Sequence, residues 1–210
     1  MRQRTLVTLA ALLVLWPAAA RAQSWESPTF FAPRTADDIG LYLYDPEGGD
    51  LGLVGIWRQS GTLNLGVRAG FGSVGGDRLL LIGAEVYGML VEPDAERPLA
   101  IAWIAGAGAT TDGALVLRIP VGVSAGARLP AGDLVFTPYV HPRIALDYTS
   151  VDGVDGADGY SDTQLNLDVD VGAELEVGSS WLVRAAFTLG DRTAFGAGLA
   201  YRIPRRIAVR

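Results

Sequence analysis

His141 is the only histidine in the chain, and Thr137 and Arg143 share its predicted face on an extended segment. Folding the chain into a hairpin about residues 149–160 sets His141 opposite Asp170, and Arg143 opposite Asp168. An imidazole backed by a carboxylate is the base-and-orienter pair of a hydrolase, and Ser124 is the nearest serine predicted to share that face. No nucleophile elbow, phosphate loop or metal-ligand cluster accompanies them, and His141-Pro142-Arg143 carries no nucleophile. The surroundings of His141 are rich in charge, so its main reading is a member of an ion-pair lattice, and the chain is read as non-enzymatic with no cofactor.

Asp152, Asp155, Asp158 and Asp162 recur among glycines in DGVDGADGYSD. Calcium takes six to eight oxygen ligands, which a flexible acidic loop can supply. The spacing departs from the EF-hand loop, and a solvated acidic loop is the leading reading.

The elements that must hold these residues are strands. In Leu165–Val177 every second residue is apolar, and Asn166, Asp168, Asp170, Gly172, Glu174 and Glu176 lie between. A two-residue period gives a strand one oily and one polar face, and this one is long enough to cross a bilayer at a tilt. Turn signals divide the chain into ten such segments, near 38–45, 51–58, 62–71, 78–90, 98–109, 114–129, 133–148, 161–177, 180–189 and 193–203. Alternation is clear in the third, sixth, seventh, eighth and tenth; glycine and leucine blur the faces of the first, second and fifth. Residues 23–37 read as an irregular lead into the first strand, and 204–210 as a tail.

The polar faces carry Arg68, Arg118, Arg128, Arg143, Arg184 and Arg202 with Glu85, Asp147, Asp168, Asp170, Glu174 and Glu176. So many charges on one side of a sheet require partners. A narrow barrel would gather them into a near-neutral lattice around its axis, wetted by trapped water, with Glu174 and Arg184 as a cross-strand pair. Arginine suits the task because its planar fork bonds more than one carboxylate. Folding about 130–132 also predicts that Pro120 and Pro142 lie close together on adjacent strands, where missing donors add a bulge or weaken the wall.

All 17 basic residues are arginine, no cysteine is present, and mean hydropathy is +0.27. Arg2 and Arg4, the apolar run from Leu6 to Leu15 and Ala20-Arg21-Ala22 predict a secretory signal peptide over 1–22. Its removal leaves 14 arginines against 23 carboxylates, a net charge of −9. With no basic run, nucleic-acid binding is excluded as a reading. Beyond the leader no apolar run reaches the roughly 18 residues of a membrane helix.

These features together resemble the small outer-membrane β-barrel proteins of Gram-negative bacteria, over residues 38–203. The resemblance implies an antiparallel up-and-down transmembrane β-barrel of about ten strands, with eight as the alternative. An even strand number puts both termini on the periplasmic side, so the long 149–160 connection faces outward and the turns at 59–61, 130–132 and 178–179 face the periplasm. Trp57 and Trp181 then sit at one rim, and Phe71 and Tyr148 at the other. Gly198-Leu199-Ala200-Tyr201-Arg202-Ile203 is similar to the terminal signal read by the barrel-assembly machinery. Outer-membrane lipid is the second implied partner.

Three functions are open. The first is a non-enzymatic envelope barrel with a structural or narrow-channel role. The second is an outer-membrane lipid- or peptide-acting hydrolase, or a lateral transporter of a hydrophobic small molecule. The third is a soluble lipocalin-like carrier with its apolar faces turned inward.

Overall fold

The computed structural model describes residues 27–204 apart from 35, 47–48, 75–76, 95, 112–113 and 152–158. The predicted signal peptide, residues 23–26, Asp152, Asp155, Asp158 and residues 205–210 lie outside the described residues. Alternation between turn signals produces strands β1 Asp38–Pro46, β2 Gly49–Gln59, β3 Asn64–Val74, β4 Asp77–Val91, β5 Leu99–Thr111, β6 Ala114–Ala127, β7 Leu129–Ala131, β8 Leu134–Val151, β9 Tyr160–Val177, β10 Trp181–Gly190 and β11 Ala194–Arg202. β6 pairs directly with β8, and the three-residue β7 continues the course of β6 past Arg128 against the start of β8. Ten long strands therefore form the wall.

Each long strand runs antiparallel to its sequence neighbour, and β1 pairs with β11 from Asp38↔Arg202 to Pro46↔Ala194. That last ladder closes the sheet on itself, so each long strand has a neighbour on both sides. β1 begins and β11 finishes at the same end of the barrel, called here the terminal end.

The faces follow the pleat. Ile39, Leu41 and Leu43 point outward on β1, while Asp38, Tyr42 and Tyr44 are buried inside. On β9, Leu165, Leu167 and Val171 are exposed, and Asp168, Asp170, Glu174 and Glu176 are buried. The apolar stripe thus covers the outside of the barrel, which corrects the soluble-carrier reading. At the terminal end Trp57, Ile39, Tyr201 and Trp181 occupy one row across β2, β1, β11 and β10. The Trp181 and Tyr201 rings meet edge to face at 5.4 Å.

Two predictions about register need correction. Pro120 lies opposite Ala145 rather than beside Pro142. The hairpin turns at Gly132, whose φ of 64° suits glycine, with Ala131 paired to Leu134, so the fold axis falls beyond the 130–132 stretch. Both ladders of β6 are nonetheless interrupted without a shift in register. The β5–β6 pairing skips from Ala105↔Val121 to Gly108↔Arg118, bracketing Pro120, and the β6–β8 pairing skips from Gly122↔Arg143 to Ala125↔Val140, bracketing Pro142. The connection between the segments expected near 62–71 and 78–90 is also shorter, because β3 reaches Val74 and β4 starts at Asp77.

The strands whose faces the sequence left unsettled line much of the interior with apolar groups. Tyr42, Tyr44, Val54 and Ile56 gather with Leu81, Tyr139 and Leu182 into one buried cluster. The interior is therefore part ion-pair lattice and part hydrophobic core.

Candidate functional site

The buried charges form three groups along the axis. Near the terminal end Arg184 donates from Nε to Glu174 Oε2 at 2.5 Å and from Nη2 to Asp38 Oδ2 at 2.6 Å, and Arg34 adds 2.8–2.9 Å ion pairs to the same two carboxylates. Midway, Glu85 accepts from Arg58 at 2.6 Å and from Arg68 at 3.1 Å. Toward the opposite end Arg118 holds Asp147 in a two-pronged pair, and Arg192 joins Asp147 to Asp168 at 2.7 and 3.1 Å. Arg143 lies beside Asp168 and Asp170 at 3.8 and 3.4 Å. At the terminal mouth Glu176 takes both Arg128 and Arg202. The Arg128 side chain is 55% exposed, so it belongs to the rim rather than to the buried lattice.

Sequence reasoning missed Arg34, Asp38, Arg58 and Arg192. Arg58 continues an otherwise apolar inward row on β2, and Asp38 opens the row of Tyr42 and Tyr44, so neither announced a polar face. Arg192 sits in the β10–β11 turn and reaches inward from there.

The larger surprise is residues 27–37. Phe30, Phe31, Ala32 and Ala36 are buried within the barrel, and none of the described residues in 27–37 forms a strand. The Thr29 N–H donates to Asp170 at 2.9 Å, and its hydroxyl accepts from Arg143 at 3.0 Å. Arg58 donates to the carbonyls of Thr29 and Phe30, each at 2.9 Å. Ser124 donates to the Phe31 carbonyl at 2.7 Å, and Tyr87 and Ser60 both donate to Ala36, each at 2.8 Å. The segment thus runs through the lumen from Ala36, held by Tyr87 and Ser60, to Thr29 beside Asp170 and Arg143. A cavity of about 10 Å³ remains beside it, lined by Thr29, Pro120, His141 and Arg143 among others, roughly the room one water needs. A mouth pocket of about 190 Å³ opens beside Pro33, Arg34, Met89 and Glu176.

The candidate hydrolytic residues share one row. His141 pairs in register with Asp170 on β9, and the register on either side of the β6 gap puts Ser124 opposite His141. All three are buried in the interior. Asp170 is engaged by Thr29, by Thr188 at 2.7 Å and by Arg143, while Ser124 is engaged by Phe31. His141 Nδ1 has no hydrogen-bond partner among the described residues, and its ring meets Phe31 edge-on at 6.3 Å. Of the proposed calcium ligands only Asp162 is described; it is exposed and caps Thr163 N–H and Gln164. Among the described residues no cluster of metal-ligating side chains occurs.

No protein-family model and no curated protein sequence matches the chain. Solved structures do. A KdgM porin in complex with disordered oligogalacturonate is similar at 10% identity and a TM-score of 0.42, over 80% of this chain and 99% of that one. The N-terminal β-barrel domain of Pseudomonas aeruginosa OprF is similar at 10% identity and 0.39, over 81% and 100%. Ail of Yersinia pestis is similar at 11% identity and 0.31, over 79% and 95%. The antiparallel β-barrel architecture of the chain stands on its own ladders, closed by the β1–β11 pairing.

Proposed function

We propose that the protein is a non-enzymatic integral barrel of the Gram-negative outer membrane, with a structural role in the envelope and a lumen closed by its own residues 27–37. The carrying observation is the threading of that segment through the interior, fastened by Arg58, Ser124, Tyr87 and Asp170. A barrel with an apolar exterior and a filled interior suits lipid outside and no free aqueous path inside. The terminal end faces the periplasm in this reading. A cleaved signal peptide and the barrel-assembly machinery deliver the protein there. Purified full-length barrel in planar bilayers should give no sustained conductance, and a chain lacking residues 23–34 should conduct. A persistent open channel from the full chain would overturn the closed-barrel reading.

A second reading, a peptide- or lipid-acting hydrolase, is favoured by one observation: Ser124, His141 and Asp170 lie in one row on β6, β8 and β9. Its test is hydrolysis of lipopolysaccharide and peptide substrates by the barrel and by His141→Ala. Activity that vanishes on substitution would establish it.

A further inference from the structure

The contacts of residues 27–34 have a specific form. The wall contributes side chains and the segment contributes mostly main chain: Thr29 N–H to Asp170, Thr29 and Phe30 carbonyls to Arg58, and the Phe31 carbonyl to Ser124. A filler needs only apolar bulk, whereas this wall places charged and hydroxyl groups on consecutive peptide units. Main-chain contacts provide sequence-independent grip, and side-chain pockets provide selection.

Two pockets select. The Phe30 ring stacks on Tyr42 with centroids 4.3 Å apart and 14° between planes. A Cβ at Gly196 would come within 2.6 Å of Phe30 Cζ, so glycine there keeps the pocket open. Phe31 lies edge-on to Tyr87 at 5.4 Å, and the Arg58 guanidinium sits over its ring at 5.3 Å. Phe30 also has φ of 50°, the one positive value at a non-glycine among the described residues. Such a conformation is costly and persists where the surroundings over-determine it, as they do for a clamped ligand.

From this geometry we infer that the barrel interior is a binding site for a short, bent peptide with two adjacent aromatic residues. Ser27–Arg34 occupies it in cis, and a peptide of the same chemistry binds in trans when that occupant is removed. The inference rests on the closed-barrel reading of the same segment.

The test uses a chain lacking residues 23–34, refolded in detergent micelles, and a fluorescent peptide of sequence SPTFFAPR. Folding is followed by heat-dependent gel mobility and binding by polarisation. Saturable binding is expected, weakened at least about tenfold when both phenylalanines of the peptide are replaced by alanine, since each ring fills a pocket. If the truncated chain folds only when the peptide is present, the site is likewise supported. A folded truncated barrel that ignores the peptide, or takes a scrambled one equally, overturns the inference; so does a truncated chain that the peptide fails to rescue. A second variant keeps the whole segment: the full chain carrying Phe30→Ala and Phe31→Ala should take up the peptide more readily than the unaltered chain. A truncated barrel that conducts but binds no peptide leaves the closed-barrel reading standing and removes this one.

Discussion

Arg184 on β10 reaches across β11 to Asp38 on β1, with Nη2 and Oδ2 2.6 Å apart, while its Nε holds Glu174 on β9. One guanidinium therefore ties β9, β10 and β1 together, bridging over β11 and the ladder that joins the first strand to the last. Its Nη1 also donates to the Tyr42 hydroxyl at 2.7 Å, and Tyr42 in turn carries the Phe30 ring. Barrel closure and the seating of residues 27–37 thus share one anchor.

Replacing that anchor should weaken both. Arg184→Leu leaves Asp38 and Glu174 buried with Arg34 as their remaining ion-pair partner. Breaking a buried pair from one side costs about 3–5 kcal/mol. Urea unfolding of the barrel in lipid vesicles should show a loss of that size, whereas Arg97→Leu in the exposed β4–β5 connection should lie within about 0.5 kcal/mol of the parent. Equal stability of the two variants would remove Arg184 as the closure anchor.

The strands were legible because their alternation is local: residues 163–177 alone reveal both faces of β9. Hairpin geometry then placed His141 opposite Asp170 and Arg143 opposite Asp168, since the register about the 149–160 connection carries no bulge. Pro120 and Pro142 do not meet, because their hairpin turns at a later residue than its sequence suggests. Residues 27–37 were illegible for a different reason. Burial of Phe30 and Phe31 is imposed by Tyr42, Arg58, Tyr87, Ser124 and Asp170, which lie on five strands spread across the sequence, and an aperiodic segment carries no sign of them. Arg58 on the mostly apolar β2 row stayed hidden with them.

Glycines at two turns should separate strain from steric conflict. Gly190 has φ of 136°, and a Cβ there would collide with the Leu167 carbonyl and lie 2.9 Å from Asp168 Cα. Gly132 has φ of 64°, and a Cβ added there would meet nothing within 4 Å. Gly132→Ala should cost about 1–2 kcal/mol, the penalty of a left-handed alanine. Gly190→Ala should cost more and should slow refolding into vesicles. Identical unfolding midpoints for the two variants would contradict this.

The gaps beside β6 predict uneven hydrogen exchange. Gly106 and Ala107 face the Pro120 interruption, and Val123 and Ser124 face the one at Pro142. Each proline lacks the N–H that would donate across the gap, so the ladder there is short of a bond and opens at lower free energy than a continuous one. Amides flanking the gaps should exchange before those of Val169–Ala173 on β9, whose pairing with both β8 and β10 is continuous. Protection equal to that of β9 would mean that the wall is intact there.

Asp94 offers a titration outside the wall. Its carboxylate accepts from the Arg97 guanidinium at 2.9 Å and from the N–H groups of Arg97 and Glu96 at 2.8 and 2.9 Å. These bonds favour the charged form, with the Arg97 side chain the largest influence, and hold the Asp94 pKa below its ordinary 3.8. A depressed carboxylate stabilises the turn above its unfolded pKa and loses that contribution as pH falls through the folded value. The Glu92–Pro98 turn should therefore stay ordered at neutral pH and loosen only below about pH 4, the ordinary aspartate range. Carbon-13 NMR of Asp94 should show its midpoint rise toward the ordinary value in Arg97→Gln. A midpoint unmoved by that change would assign the shift to the two backbone amides instead.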